Sequence, residues 1–86
     1  MQTATNKIAV HALKAAVLAA GGQMAFARAL RKKTGRNIQQ GHVSFWLHGS
    51  KKGLPPDLCL LVERLYGIPR EKLRPDVYLG KNGLPP

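Results

Sequence analysis

Acidic residues are scarce in this chain: four Asp and Glu stand against fourteen Lys and Arg in 86 residues. That scarcity argues against an enzyme. There is no carboxylate pair for general acid–base work, no Cys–His or Ser–His arrangement to activate a nucleophile, and no phosphate-cradling glycine loop. No catalytic residues and no cofactor are expected. Cysteine is nearly missing too. Cys59 has no second thiol with which to form an internal disulfide. It falls in an apolar helical pattern, which predicts a reduced compartment and a core thiol, with a reactive thiol as the lesser reading. His42 and His48 have no Cys or acidic cluster at ligand spacing, so no metal is expected. Aromatic residues are few, and they build no stacking platform of the kind that single-stranded RNA readers use. No apolar run approaches the ~20 residues of a membrane span. The alanine-rich start contains His11 and Lys14 and lacks the layout of a signal peptide. These absences together predict a cytoplasmic protein with no membrane partner.

What the chain does have is positive charge. The formal net charge of +10 exceeds the ~2–8 usual for a small soluble domain and predicts attraction to a polyanion, nucleic acid above all. The length suits one domain with a modest core, which a partner subunit would help to stabilise. No internal repeat is present.

Apolar spacing and glycine–proline punctuation divide the chain into helices. Asn6 is placed to cap a first helix over residues 7–20, with Ile8, Leu13, Val17 and Leu18 on its apolar face, closed by Gly21 and Gly22. A second helix over 23–30 carries Met24, Ala27 and Leu30, or Phe26 and Leu30, at three- and four-residue spacing. Residues 31–37, RKKTGRN, read as a long turn holding four basic side chains, Arg31, Lys32, Lys33 and Arg36. A third helix over 39–48 turns Val43, Trp46 and Leu47 inward and Gln40, Gly41, Ser44 and Phe45 outward. Gly49 closes it, and Lys51 and Lys52 follow in a loop. Pro55 and Pro56 start a fourth helix with Leu58, Cys59, Leu61, Val62 and Leu65 on its stripe, ended by Gly67. Pro69 begins a short turn to Leu73, and Arg74-Pro75-Asp76 sets an extended or turning path. Val77, Tyr78 and Leu79 either fold back as a lid or extend as a dimer contact. Residues 80–86 read as a disordered tail, which leaves 6–79 as the folded core of a single domain 1–86.

QMAFARAL followed by IQQGHVSFWLHG is similar to the Cro-like, lambda-repressor-like helix-turn-helix of bacteria and their phages. The later segment LPPDLCLLVERLYGIPREKLRPDVY resembles more narrowly the YdaS-type antitoxin/Cro-like regulators, whose domain ends in a similar Leu-Arg-Pro-Asp-hydrophobic run. The resemblance covers about residues 8–79. It implies an all-α domain of four to five short helices whose third helix enters the DNA major groove. It also implies a phosphate contact at Gln23, the alternative being a simple exposed N-terminal residue, and base readers at Gln40, Gly41 and Phe45 with Gln39, His42 and Ser44 beside them. Phe45 can pack on a thymine methyl or turn into the core. Arg28 lies on the outward face; with Lys32, Lys33, Arg36, Lys51 and Lys52 it would contact phosphates on the flank. RKKTGRN departs from the tight family turn by roughly six residues, which leaves the angle between the two helices open. The function expected is sequence-specific binding of double-stranded DNA by a repressor. The partners expected are a palindromic operator and a second copy of the chain, at least on DNA. An alternative reading is an antitoxin that also binds and neutralises a toxin protein.

Overall fold

The computed structural model describes residues 4–49 and 53–78. Among them the regular structure is entirely helical: α1 (Ala4–Ala20), α2 (Gln23–Thr34), α3 (Gln40–Ser44), α4 (Pro56–Tyr66), α5 (Arg70–Leu73) and α6 (Pro75–Tyr78). α3 continues without a break into a π-helical turn, Phe45–Gly49. Six helices replace the expected four to five, because Pro75 restarts a helical turn where an extended or turning path was anticipated.

α1 starts at Ala4, so Asn6 lies inside it and does not cap it. Alanine is the best helix former, and no breaker precedes it. The buried face is Ala9, Ala12, Leu13, Ala16 and Val17, an i, i+3, i+4, i+7, i+8 stripe. Ile8 and Leu18 fall off that stripe and are exposed, Leu18 at 78%. α1 closes in a double hydrogen bond, the Gly21 N–H donating to the Leu18 carbonyl at 3.1 Å and the Gly22 N–H to the Val17 carbonyl at 2.9 Å. Both glycines have positive φ, 104° and 118°, which an L side chain resists. The chain leaves this corner bent by 85° into α2.

α2 runs four residues further than the apolar spacing indicated and takes in Arg31, Lys32, Lys33 and Thr34. The basic residues are good helix formers, and in the last turn they oppose the negative end of the helix dipole. Gly35, at φ 73°, ends the helix and donates its N–H to the Arg31 carbonyl at 2.8 Å. Phe26, Ala27 and Leu30 are buried, whereas Met24 is 61% exposed and belongs to no core face. The Phe26 ring meets Tyr66 of α4 with centroids 5.7 Å apart. Val43, Trp46 and Leu47 from the third helical segment, Leu54, and Leu58, Cys59 and Val62 from α4 complete one core with Leu73.

α4 has Pro56 in its first turn and ends at Gly67, φ 73°. Between α5 and α6, Arg74 adopts an extended conformation and is only 5% exposed. Its guanidinium forks onto Asp76, with Nε to Oδ1 2.9 Å and Nη2 to Oδ2 2.7 Å, while Nη1 donates to the Leu54 carbonyl at 3.0 Å. The Leu-Arg-Pro-Asp run is thus a clamp between the chain end and the loop before α4. Tyr78 folds back against the core, and its hydroxyl donates to the Pro56 carbonyl at 3.4 Å. Residues 77 and 78 are helical and not extended; Tyr78 folds back as a lid, Val77 is exposed, and Leu79 lies outside the described residues with 80–86. No single helix among the described residues is long and apolar enough to cross a membrane.

Candidate nucleic-acid interface

The candidate interface is built on α2 and the helical segment that packs on it, Gln40–Ser44 with Phe45–Gly49. The connection between them is short. With Arg31, Lys32, Lys33 and Thr34 inside α2, only residues 35–39 link the helices, which corrects the projecting loop expected over 31–37. Hydrogen bonds fasten this linker at both ends. Thr34 Oγ1 donates to the Leu30 carbonyl at 2.7 Å and accepts the Arg36 N–H at 3.1 Å. The Arg31 guanidinium spans the linker and donates to the Ile38 carbonyl at 2.8 Å. Arg31, read from sequence as one of the free basic side chains, is a brace. Ile38, between them, is buried in the core.

Gln39 stands at the N-cap of α3 with extended backbone, as expected, and its N–H donates to His42 Nδ1 at 3.0 Å. That acceptor role puts the ring proton of neutral His42 on Nε2. The imidazole also stacks on Trp46, with centroids 6.4 Å apart. The Gln39 side chain turns back to donate to Asn37 Oδ1 and so is engaged within the turn. Gln40, Gly41 and Phe45 are exposed, and Ser44 is half-buried beside them. The two readings of Phe45 are thereby separated: its ring is 58% exposed and is not core.

Among the expected phosphate contacts, Arg28, Lys32 and Lys33 are exposed on α2. Arg28 and Lys32 are four residues apart and share a face. Arg36 differs, since its guanidinium is held by Asp57 in the first turn of α4, an ion pair between half-exposed side chains. Gln23 is half-buried at the first position of α2, where Gly22 supplies no side-chain cap. Lys51 and Lys52 lie outside the described residues.

A stronger signal lies in where the acids are. All four, Asp57, Glu63, Glu71 and Asp76, come after residue 56. Each has an arginine within ion-pair distance: Arg36 for Asp57, Arg70 for Glu63 and Glu71, Arg74 for Asp76. The chain through α1, α2 and α3 therefore carries no acidic side chain of its own. Nor do three His, Cys, Asp or Glu side chains gather as metal ligands among the described residues.

Residues 13–82 match the family described as bacterial toxin YdaS. The chain belongs to that YdaS family. The match begins inside α1 and takes in α2, α3, the arginine clamp and α6, so the whole candidate interface lies within the family region. No curated protein and no solved structure matches the chain.

Proposed function

We propose that this YdaS-family chain is a sequence-specific double-stranded DNA-binding regulator in which α2 and α3 act as a helix-turn-helix. The observation that carries this reading is the combination on one two-helix unit of an acid-free, cationic α2 and an α3 face of Gln40, Gly41, Ser44 and Phe45. Arg28, Lys32 and Lys33 neutralise phosphates and release counterions, which supplies affinity without sequence information. Gln40 is the side chain suited to bidentate pairing with adenine N6 and N7. A short α3 reads few base pairs, so two copies on a palindromic operator are proposed, with half-site centres ~34–36 Å apart. Repression follows from occupancy that blocks polymerase, and a protein that occupies promoters can be toxic through binding alone.

Selection from a random duplex library tests this. Enrichment of one motif in inverted half-sites is the expected result, and Gln40→Ala should relax one base preference within it. A library that shows no enriched motif at any salt concentration rejects the reading.

A groove of about 920 Å³ between α1 and α5–α6, lined by Ile8, Ala12, Ala15, Ile68 and Pro75 among others, favours a second reading. A protein partner, a toxin neutralised by this chain, would sit there while α3 faces DNA. Co-purification of such a partner, lost in Ala15→Arg, supports it; a groove variant that changes no interaction rejects it.

A further inference from the structure

Phe45 is the one large apolar side chain on the exposed face of the third helical segment; the other exposed large hydrophobics, Ile8, Leu18, Met24, Leu60 and Val77, belong to other helices. Its neighbours on that face are Gln40, Gly41 and Ser44. A residue left 58% exposed, with no second large apolar side chain exposed on its own helical segment, is a lone anchor, whereas a protein-binding hot spot is a cluster of them. The ring nonetheless has a seat. It lies against the backbone of Gly49, so that a Cβ there would come within 2.7 Å of Phe45 Cδ1 and 3.1 Å of Cε1. Those atoms sit at the base and flank of the ring, and the ring cannot clear a methyl by moving its tip alone. The glycine that ends the π-helical turn Phe45–Gly49 thus leaves room for the ring in this position.

Base edges in the major groove offer hydrogen-bond donors and acceptors and a single apolar group, the C5-methyl of thymine. We propose that Phe45, seated on Gly49, is a specificity-determining residue that reads a thymine methyl in each half-site. This rests on α3 being the DNA reader. Gln40 and Phe45 then divide the recognition, the amide reading hydrogen bonds and the ring reading the methyl. Gly49 is a positioning residue that touches no DNA.

The test uses the full chain and its selected duplex, in which each dT is replaced singly by dU. That exchange removes the methyl and keeps every hydrogen bond. Wild type is expected to lose about four-fold in affinity at one thymine per half-site, the worth of one buried methyl. Phe45→Ala should bind the dT and dU duplexes alike at that position. Gly49→Ala should also lose the discrimination, because the added methyl pushes the ring off its seat, while the thermal midpoint moves little, since the displaced ring is exposed and not core; a purely structural glycine would give the opposite pairing. A wild type that selects a motif yet is indifferent to dU everywhere, or a Phe45→Ala variant that still discriminates, overturns the inference and leaves the DNA-binding function standing. A chain that selects no duplex motif overturns both.

Discussion

Arg74 takes a formal charge into a site that leaves it 5% exposed, and three hydrogen bonds make that tolerable. The ion pair is lopsided, since the Asp76 side chain keeps 44% of its exposure. Removing the carboxylate strands a buried guanidinium, whereas removing the guanidinium leaves an acid that water can solvate. Asp76→Ala is therefore expected to cost about 3 kcal/mol, at the lower end for breaking a buried pair. Arg74→Met should cost less, chiefly the unmet Leu54 carbonyl at about 1–3 kcal/mol. Thermal denaturation of both variants checks the order, and an Arg74→Met that is the less stable of the two would show that the clamp is held by packing. Cys59 makes a second point at this scale. It is fully buried, and burial pushes its thiol from 9.0 up to about 11, against the pull of the nearby Arg74 cation. Raising the folded value means that the unfolded chain ionises first. The contribution of Cys59 to stability is complete below pH 9 and is lost as pH rises through about 11, a change on the order of 2–3 kcal/mol. Comparing unfolding free energies of wild type and Cys59→Ala between pH 8 and 11 isolates it from the lysines and tyrosines: wild type should fall more steeply. Equal slopes would show that burial leaves the thiol with the same ionisation in the folded and unfolded chains.

Helices were legible in the sequence where punctuation marked their ends. Gly21–Gly22, Pro55–Pro56 and Gly67 each bound a helix in the structure. The end of α2 was misplaced at Leu30 because apolar spacing stops there, while backbone helicity, which needs only helix-forming residues, runs on to Gly35. Burial on α1 was misjudged for Ile8 and Leu18 because side-chain chemistry does not say which of two adjacent apolar stripes meets the core. The exposure of Gln40 and Gly41 could be read from period alone; Ser44, expected outward with them, is half-buried, and Phe45, which period placed outward and chemistry left open to the core, is exposed. The π-helical turn, the Arg31 brace and the Arg74 clamp could not, since each depends on a carbonyl or ring brought near by tertiary packing. His42 was legible only as a residue beside the expected base readers, yet its Nδ1 also closes the start of α3. That role yields a prediction at this scale. His42→Ala should cost about 1 kcal/mol, the usual worth of a capping interaction, and should weaken binding to all duplexes. His42→Gln, which supplies an acceptor from the same third position, should restore stability and general affinity. Failure of glutamine to restore both would mean that the imidazole acts on DNA directly or through its stack on Trp46.

For the whole molecule the question is how many of its cations are free to meet phosphates. Net charge alone overstates the number. Arg36, Arg70 and Arg74 are engaged by carboxylates, and Arg31 is turned onto the Ile38 carbonyl. Arg28, Lys32 and Lys33 are exposed and lie on a stretch with no acidic residue. If two copies bind, these six give a protein that neutralises ~6–10 phosphates, and affinity should fall by ~10³–10⁵ between 50 and 200 mM salt. The individual charges should then separate. Lys32→Ala, or Lys33→Ala, should lower the salt slope by about 1 for each phosphate no longer neutralised, without changing base preference. Arg36→Ala should change it less, because Asp57 already balances that guanidinium. Asp57→Ala carries the sharper expectation: it frees Arg36 beside the interface, and both affinity and salt slope should increase. Titrations of wild type, Lys32→Ala, Arg36→Ala and Asp57→Ala on one duplex across that salt range decide the matter. If Arg36→Ala flattens the slope as much as Lys32→Ala, the Arg36–Asp57 pair opens when DNA binds. If Asp57→Ala has no effect, α4 and its first turn stand away from the DNA, and the positive face is limited to α2 and α3.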